Sequence, residues 1–390
     1  MNRRKFLKDG SLGLAGATLA GIHPAWGLVR TPGKTLYLWI GTYADRPDEG
    51  INLCRMDLAD GSIQPKKLFP NIVNPSFLAV DIGRRLLYAV SETGDYEGKP
   101  AGSVSVYRLD RAGRQIDLIN TRSTRGAHPC HLTVSRNGRF VLVANYTGGN
   151  IAVLPVMPDR SLGEAVETVQ HEGSGPVRGR QEQAHAHSVN LSPDNRFAYV
   201  CDLGMDKIMI YRFNDSTGKL SGAEMSCFRT APGAGPRHFT FSPDGREAFV
   251  INELNSTITY LAVDPVNGSL SERQTVSTLP ADSTVKNTCA DIHVHPNGRF
   301  VYGSNRGHDS VVVCLVERKS GSLKVVQHQS TLGKTPRNFA IDPSGKYLLA
   351  ANQNSDSIHV FAINETTGLL APTGYSVRVP KPVCILIVEG

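Results

Sequence analysis

Six copies of one pattern recur along the chain, and this repeat constrains the fold more than any other feature of the sequence. Each copy contains an apolar strand, a turn rich in Pro, Asn, Asp or Gly, a basic residue and a second apolar strand, as in GPRHFTFSPDGREAFVINE. The turn positions are Ile82, Arg136, Pro193, Pro243, Pro296 and Pro343, so successive copies lie 54, 57, 50, 53 and 47 residues apart. A period of about 50 residues with several short strands per repeat is typical of a β-propeller.

Each copy continues beyond its second strand. A third apolar segment follows, such as NIAVLPVMP or KIMIYRFND, and a turn such as TGKL or NGSL leads towards a fourth segment. Alternating apolar residues bounded by Gly, Asn and Asp turns indicate strands. We therefore predict that every repeat forms a four-stranded blade.

Two incomplete segments at the ends of the chain supply one more blade. The segment TLYLWIGTYADRPDEGINLCRMDL lacks a first strand, and the C-terminal KPVCILIV resembles a first strand alone. Joining them closes the ring and removes the exposed sheet edges that would otherwise promote aggregation. The predicted fold is all-β, a seven-bladed β-propeller of four-stranded blades closed by pairing of the N- and C-terminal strands, and we assign it to residues 28–390 as a single domain.

Residues 1–27 do not show the strand pattern of the repeats. MNRRKFLKDGSLGLAGATLAG contains adjacent arginines, then FLK and a short run of small, mildly apolar residues. This pattern is typical of a twin-arginine export signal, and the apolar run is too short for stable membrane insertion. We predict that residues 1–27 are recognised by the twin-arginine export machinery and that the protein is periplasmic.

The cysteines are consistent with that route. The chain has seven, an odd number, and none forms a C-x-x-C pair. Because twin-arginine substrates fold in the reducing cytoplasm before export, we expect free thiols packed in the interior rather than disulfides.

Charge excludes one class of partner. The net charge is +7, and it falls to +4 without the first 27 residues. With no basic stripe and no aromatic RNA-binding motif, we predict no nucleic-acid partner. The sequence leaves the oligomeric state open.

The repeats also predict which residues surround one mouth of the central channel. In each blade the first strand begins at the rim where the second strand ends, so positions on both strands meet there. Six residues before the turn position, the blades carry Ser76, Cys130, His187, Arg237, Ala290, Arg337 and Val383. Ten residues after it, the six complete copies carry Glu92, Tyr146, Leu203, Glu253, Arg306 and Gln353. The next position along the first strand carries Phe77, His131, Ser188, His238, Asp291, Asn338 and Cys384.

These rings differ in regularity. Nine residues after the turn position, four blades carry asparagine, at 145, 252, 305 and 352. A side chain that repeats in this way suits a structural role, such as bonding the backbone at a strand end. The irregular, charged rings are the functional candidates.

One long insertion is expected at the same rim. HEGSGPVRGRQEQAHAHS, residues 171–188, carries Arg178, Arg180, His185 and His187. A loop of this length in a compact domain is usually functional.

Several of these segments together resemble a known family. RQEQAHAHS, GPRHFTFSPDG with INE, ADIHVHPNGRFVYGSNRG and TPRNFAIDPSGKYLLAANQ are similar to motifs of the seven-bladed lactonase propellers, which include 6-phosphogluconolactonase and the fungal carboxy-muconate cyclase. The resemblance implies catalytic roles for His187, Arg237, Glu253 and Arg306. We predict that the substrate is also bound by ring and insertion residues and by the nearby His293: Arg180, His185, His238, Asp291, His293 and Arg337.

Lactone hydrolysis suits these residue types. It needs a base that activates water and a cation that stabilises the oxyanion. His187 or Glu253 could be the base, and Arg237 and Arg306 could stabilise the oxyanion or bind a substrate anion. Alternatively, Glu253 only neutralises Arg237.

Other functions stay open at this stage. The predicted function is hydrolysis of a sugar-acid lactone, with a small lactone or anion as the bound partner. The alternatives are lactone-forming cyclase chemistry and a non-catalytic exported ligand-binding propeller. Histidines 128, 131, 185, 187 and 293 have no diagnostic metal-site spacing, and motifs for serine-nucleophile, zincin and P-loop chemistry are absent from the sequence. We predict no metal and no cofactor.

Overall fold

The alternating apolar segments of the repeats form strands in the computed structural model, which describes residues 35–44 and 46–389. Over those residues there are 28 strands, and they form seven four-stranded antiparallel sheets. The predicted export signal at residues 1–27 and the domain start at residue 28 lie outside the described residues.

Each sheet is one blade. The bounds are Thr35–Thr42, Gly50–Asp57 and Ile63–Pro70 (β1–β3); Leu78–Asp81, Leu86–Ser91, Ser103–Leu109 and Ile116–Ser123 (β4–β7); Pro129–Val134, Phe140–Asn145, Asn150–Pro155 and Glu167–Gln170 (β8–β11); Ala186–Leu191, Phe197–Asp202, Lys207–Phe213 and Leu220–Arg229 (β12–β15); Pro236–Phe241, Glu247–Asn252, Thr257–Val263 and Leu270–Ser277 (β16–β19); Thr288–Val294, Phe300–Arg306, Ser310–Glu317 and Ser322–Ser330 (β20–β23); Pro336–Ile341, Tyr347–Asn352, Ser357–Ile363 and Leu370–Arg378 (β24–β27); and Pro382–Glu389 (β28). In the described part of the chain, the helical segments are two 3-10 turns, Leu203–Met205 and Gln353–Ser355. No helix there has the length and apolar character needed to cross a membrane.

The two ends of the chain share one blade, as predicted. The strand order of that sheet is β28-β1-β2-β3, and β28 pairs antiparallel with β1 so that Trp39 lies opposite Leu386. The C-terminal strand therefore occupies the innermost position, equivalent to the first strand of every other blade. The prediction of a closed, seven-bladed, all-β propeller is confirmed.

Apolar side chains fill the space between neighbouring blades. Leu38 and Ile40 of β1 pack with Leu349 and Ala351 of β25, and similar clusters lie between the other blades. All six residues of β9 are buried, because this strand is covered by a blade on each face. A strand covered on both faces is continuously apolar, and this is why the second strand of each repeat has the clearest sequence signal.

Glycines in the turn between the third and fourth strands allow neighbouring blades to approach closely. Gly268 has a φ of +79°, and a Cβ atom there would lie 2.5 Å from the Phe197 ring of the preceding blade. Its carbonyl oxygen also accepts a hydrogen bond from the Tyr199 hydroxyl at 2.8 Å. Only glycine combines this positive φ with such a close approach to the ring without strain, and this explains why TGKL, NGSL and TGLL turns recur.

The repeated asparagines connect blades through the backbone. The side-chain amide of Asn145 donates to the Thr124 carbonyl at 2.9 Å, and Asn305 donates to the Thr278 carbonyl at 2.9 Å. Asn352 donates to the Thr331 carbonyl at 3.0 Å. Each acceptor follows the outermost strand of the preceding blade, so these three asparagines have the expected structural role. Asn252 instead donates to two threonine hydroxyls of its own blade.

All seven cysteines are free, as predicted. Six of them are buried, whereas Cys227 on the outer strand β15 is partly exposed. They pack as small apolar groups, and Cys54 and Cys384, for example, belong to two of the clusters between blades.

Ring closure predicts that the last strand is essential for folding. A chain ending at Lys381 lacks β28, so it exposes the edge of β1 and loses buried Cys384 and Val388 from the core. We expect this chain to lose cooperative thermal unfolding, followed by near-UV circular dichroism. A chain ending at Val388 is the matched control and should unfold like the full-length protein. Equal melting temperatures for both chains would show that the ring does not depend on this closure.

Candidate active site

A cavity of about 200 Å³ lies at the rim that the repeats predict. Its lining residues come from the insertion and from two of the predicted rings, those six residues before and ten residues after the turn position. They are Glu92, Cys130, Tyr146, Arg180, His187, Glu253, Arg306 and Arg337. A larger depression on an outer blade surface is lined by Tyr37, Arg55 and Arg114, among others. The channel cavity differs from it in containing buried ionisable groups from several blades.

Bulges in the innermost strands turn side chains towards the central channel. In five blades the register of the first strand shifts at the residue six positions before the turn or its equivalent: at Cys130, His187, Arg237, Arg337 and Val383. In a sixth blade it shifts across Ala290 and Asp291. A β-bulge leaves its extra residue outside the regular pairing and re-aims its side chain. The residue at the bulge and the next one can therefore both face the channel, which a regular strand does not allow.

Three arginines surround Glu253. Arg237 Nε lies 2.9 Å from Glu253 Oε2, Arg306 Nη2 lies 2.8 Å from the same oxygen, and Arg180 Nη2 pairs with Oε1. Burial alone would raise the pKa of Glu253, but Arg306, Arg237 and Arg180 together lower this pKa to about 2. Glu253 is therefore ionised at neutral pH and is a weak base.

Arg237 lies below the cavity and does not line it. Its side chain is 2% exposed, and Nη1 donates to the Ala290 carbonyl at 2.6 Å. Burial lowers the pKa of Arg237 to about 10, assisted by the positive charges of Arg306 and Arg337. The guanidinium remains charged at neutral pH, but the protein already satisfies much of its hydrogen-bonding capacity.

Arg306 and Arg337 both line the cavity, but they differ in how many partners their guanidinium groups have. Arg306 Nη2 donates to the Cys289 carbonyl at 2.8 Å as well as pairing with Glu253. The Arg337 guanidinium lies 5.1 Å from the centroid of the Tyr43 ring, and it makes no hydrogen bond or ion pair with the residues that the structure describes. Burial acts to lower the pKa of Arg337, but Tyr43, Glu92 and Glu253 outweigh this effect and raise it. Arg337 is thus a charged donor available to a ligand.

His187 is a neutral imidazole in the wall of the cavity. Nδ1 lies 3.7 Å from the Cys130 sulfur, and Nε2 makes no hydrogen bond within the described part of the chain. Burial holds the pKa of His187 well below its ordinary value, and the positive charge of Arg237 acts in the same direction. One ring nitrogen of His187 is therefore available to exchange a proton with a bound molecule.

His238, Asp291 and Asn338, from the ring one position further along the first strand, form the floor of the cavity together with His293. His238 Nδ1 lies 2.8 Å from Asp291 Oδ1, and His293 Nε2 lies 3.0 Å from Asp291 Oδ2. Asn338 also donates to Asp291 Oδ2, at 2.5 Å. None of these four residues lines the cavity. These residues form a hydrogen-bonded layer, and the side chain of His293 is 39% exposed at its edge.

Electrostatics define the protonation of this layer. Burial and the neighbouring Arg237 lower the pKa of His238 to about 4. Burial would raise the pKa of Asp291, but His293 and His238 hold it well below its ordinary value. A neutral His238 therefore donates from Nδ1 to an ionised Asp291, and its Nε2 faces Arg237 Nη1 at 3.3 Å.

The long insertion is anchored by one buried glutamine. The Gln181 side chain is fully buried, and its Nε2 donates to the Leu203 carbonyl and to Asp206 Oδ1, both at 2.7 Å. Its Oε1 accepts from the Val177 amide at 3.0 Å. These bonds hold the adjacent Arg180 beside Glu253.

The other charged residues of the insertion lie outside the cavity lining. Arg178 is exposed, and His185 stacks on Tyr146 with ring centroids 4.4 Å apart. His185 Nδ1 also lies 2.9 Å from the Tyr146 carbonyl oxygen. Of this group, Arg180 and His187 reach the cavity.

The structure also adds residues that the sequence-based site left out. Glu92, Tyr146 and Cys130 line the cavity, and all three are members of the predicted rings, so the repeats alone could have included them. Tyr43 follows β1 in a loop, and its hydroxyl donates to Glu92 at 3.0 Å. It is the closing blade's equivalent of Glu92 and Tyr146, because Thr42 pairs with Pro382 as Asn145 pairs with Pro129, so the repeats could have included Tyr43 as well.

The histidines near the channel raise the question of a metal site. Among the described residues, no group of three or more His, Cys, Asp or Glu side chains is arranged to hold a metal ion. Asp291, for example, binds two histidines directly through hydrogen bonds.

Comparison with known proteins identifies one family, together with related sequences and structures. The profile of a family described as "Lactonase, 7-bladed beta-propeller" matches residues 37–387. A Bacillus subtilis protein named 6-phosphogluconolactonase is 35% identical over 347 residues, covering 89% of this chain and 97% of that protein. The structure of a periplasmic gluconolactonase from Pseudomonas aeruginosa has a TM-score of 0.85 and 36% identity, and covers 91% of this chain and 99% of that one. A protein from Lactobacillus plantarum has a TM-score of 0.83 and 34% identity, with coverage of 91% and 100%.

The arginine cluster predicts a pH-dependent stability term. The folded-state pKa of Glu253, about 2, lies below the unfolded value of about 4.3, so its ionisation stabilises the protein above pH ~4.3 and this contribution is lost as the pH falls towards 2. We expect Glu253→Gln to lower the free energy of unfolding by about 3–5 kcal/mol at pH 7. The difference from the unmodified protein should shrink between pH 4 and pH 2.5 in urea denaturation.

The exposed Glu365→Gln is the matched control and should change stability little at any of these pH values. An equal loss for Glu253→Gln at pH 7 and pH 2.5 would contradict the assigned ionisation of Glu253.

Proposed function

The chain belongs to the lactonase family of seven-bladed β-propellers, and we propose that it hydrolyses a sugar-acid lactone in the cavity at the channel mouth. The observation that carries this proposal is a neutral imidazole, His187, lining the same cavity as guanidinium groups that can stabilise negative charge. Support also comes from relatives named as lactonases, one a 6-phosphogluconolactonase and one a gluconolactonase.

His187 is the proposed base. Its free Nε2 accepts a proton from water as the water oxygen attacks the lactone carbonyl carbon, forming a tetrahedral oxyanion. When the bond to the ring oxygen breaks, the imidazolium returns the proton to that oxygen, giving the open hydroxy acid. Because the pKa of His187 is held low, its protonated form is a strong acid and donates readily to the leaving oxygen.

The arginines stabilise the negative charge in this proposal. Arg306 and Arg180 line the cavity while held in place by Glu253, so their remaining N–H groups are pre-oriented towards the oxyanion. Arg237 and Glu253 are positioning residues, since Arg237 is buried below the cavity and Glu253 is saturated by arginines. Of the two bases considered from sequence, His187 is favoured because both carboxylate oxygens of Glu253 are paired with arginines, whereas Nε2 of His187 makes no hydrogen bond within the described part of the chain.

The floor residues support the site indirectly. His238 and Asp291 pack beneath His187 and Arg237, with the His187 and His238 ring centroids 5.4 Å apart. We assign them, with His293, a positioning role in place of direct substrate binding. His185 orients Tyr146 by stacking, and Arg337 remains a substrate-binding residue.

Loss of the base should abolish most of the activity. For residues 28–390 acting on glucono-δ-lactone, we expect His187→Gln to lower kcat at least about 100-fold. Proton release in weak buffer measures the rate after subtraction of spontaneous ring opening. Because the pKa of His187 lies below its ordinary value of about 6.5, the acid limb of the activity should lie below pH 6.5.

His359→Gln on β26 is the matched control and should retain activity, because His359 does not line the cavity. A folded protein that opens neither glucono-δ-lactone nor 6-phosphoglucono-δ-lactone faster than the spontaneous rate would reject the hydrolase proposal. Lactone formation from an unsaturated acid would then favour the cyclase.

We also propose that residues 1–27 direct export to the periplasm through the twin-arginine machinery. The adjacent Arg3 and Arg4 support this, together with a structural neighbour described as periplasmic. We expect the full chain in the periplasmic fraction of a bacterial host, and Arg3→Lys with Arg4→Lys should leave it in the cytoplasm. The matched control is Lys5→Arg with Lys8→Arg. Periplasmic protein in the Arg3/Arg4 variant would contradict this route.

A further inference from the structure

Two carboxylates line the cavity in opposite environments. Glu253 is paired with three arginines, whereas the oxygens of Glu92 accept from one tyrosine hydroxyl, Tyr43, at 3.0 and 3.1 Å. No Lys, Arg or His among the described residues forms an ion pair with Glu92. An ionised carboxylate offers about four acceptor positions, so Glu92 presents unused acceptors to a molecule in the cavity.

An unused donor lies on the same side of the cavity. Arg337 packs over the ring of Tyr43, the residue that holds Glu92, and its guanidinium makes no hydrogen bond to the described residues. Tyr43 therefore positions an acceptor and a donor next to each other in the cavity wall. Glu92 is also among the groups whose charge raises the pKa of Arg337, as expected for neighbours that do not form a direct ion pair.

This combination matches neighbouring hydroxyl groups. A hydroxyl both donates and accepts, so one can donate to Glu92 while the next accepts from Arg337. A phosphate dianion has only acceptor oxygens: it can bind Arg337, but it cannot donate to Glu92, and it repels that carboxylate inside a cavity of about 200 Å³. The two residues together therefore favour an uncharged polyol group over a phosphorylated one.

We propose that Glu92 and Arg337 bind substrate hydroxyl groups and select an unphosphorylated polyhydroxy lactone. This inference rests on the proposed lactone hydrolysis and names the substrate class of that site. Glu92 acts on specificity, because it binds groups away from the reacting carbonyl, whereas His187 acts on the reaction itself.

Three lactones test the assignment. Glucono-δ-lactone carries hydroxyl groups, δ-valerolactone lacks them, and 6-phosphoglucono-δ-lactone adds a phosphate. We expect the unmodified protein to have its highest kcat/KM on glucono-δ-lactone. Glu92→Gln keeps the shape but removes the charge, so it should reduce the preference for glucono-δ-lactone over δ-valerolactone by about tenfold or more, mainly through KM. The same change should shift the preference towards the phosphorylated lactone.

Glu247→Gln is a closely matched control. Glu247 also accepts a hydrogen bond from a tyrosine hydroxyl, that of Tyr260, but it lies at the other end of its strand, β17, from the cavity. Its substitution should leave both preferences unchanged. Tyr43→Phe should change the preferences in the same direction as Glu92→Gln, because Glu92 loses its positioning hydroxyl.

The outcomes separate this inference from the proposed function. If the unmodified protein opens none of the three lactones, the proposed function fails. If it opens glucono-δ-lactone but Glu92→Gln lowers kcat/KM equally for all three lactones, Glu92 is a structural or proton-transfer residue and the inference is wrong. A higher kcat/KM of the unmodified protein on the phosphorylated lactone would also overturn it.

Discussion

The site depends on the contact between Glu253 and three arginines. Arg237 comes from the first strand of the same blade, Arg306 from the next blade, and Arg180 from the insertion between two earlier blades. Burying this many charges is costly unless each is paired, so the carboxylate and the guanidinium groups hold one another in place. The contact therefore connects the ring of blades to the loop at its mouth. It also fixes Arg237, whose charge adds to the burial that keeps His187 neutral.

Neighbouring positions within each repeat have different structural roles. The bulged residue of the innermost strand and the residue after the second strand lie at the channel mouth or just below it. The next position of the first strand contributes to the hydrogen-bonded layer beneath the cavity, and the asparagine at the end of the second strand bonds the preceding blade. The first two positions vary between blades because a single small site needs different groups on its different sides. The asparagine recurs because each joint between blades presents a similar backbone carbonyl.

The pairing of the arginines limits which ligands the site can bind. Most of its arginine donors are already bonded to Glu253 or to backbone carbonyls, so the number of free guanidinium groups is smaller than the sequence suggests. Arg337 is the clearest exception in the described part of the chain, and it lies with Glu92 on either side of Tyr43. The resulting surface is mixed in charge, which favours hydroxyl groups more than a cluster of free arginines would.

The repeat spacing by itself determined the blade number, the closure by the terminal strands and the rim that carries the site, because strand periodicity and turn residues are local signals. It also placed His187, Arg237, Glu253 and Arg306 at that rim. Only the tertiary structure decided that Arg237 is buried beneath the cavity, that Arg337 has no hydrogen bond or ion pair with residues 35–44 and 46–389, and that His238 and Asp291 form the floor. These outcomes depend on strand bulges and on ion pairs between residues of different blades, and both are set by distances that a sequence pattern does not contain.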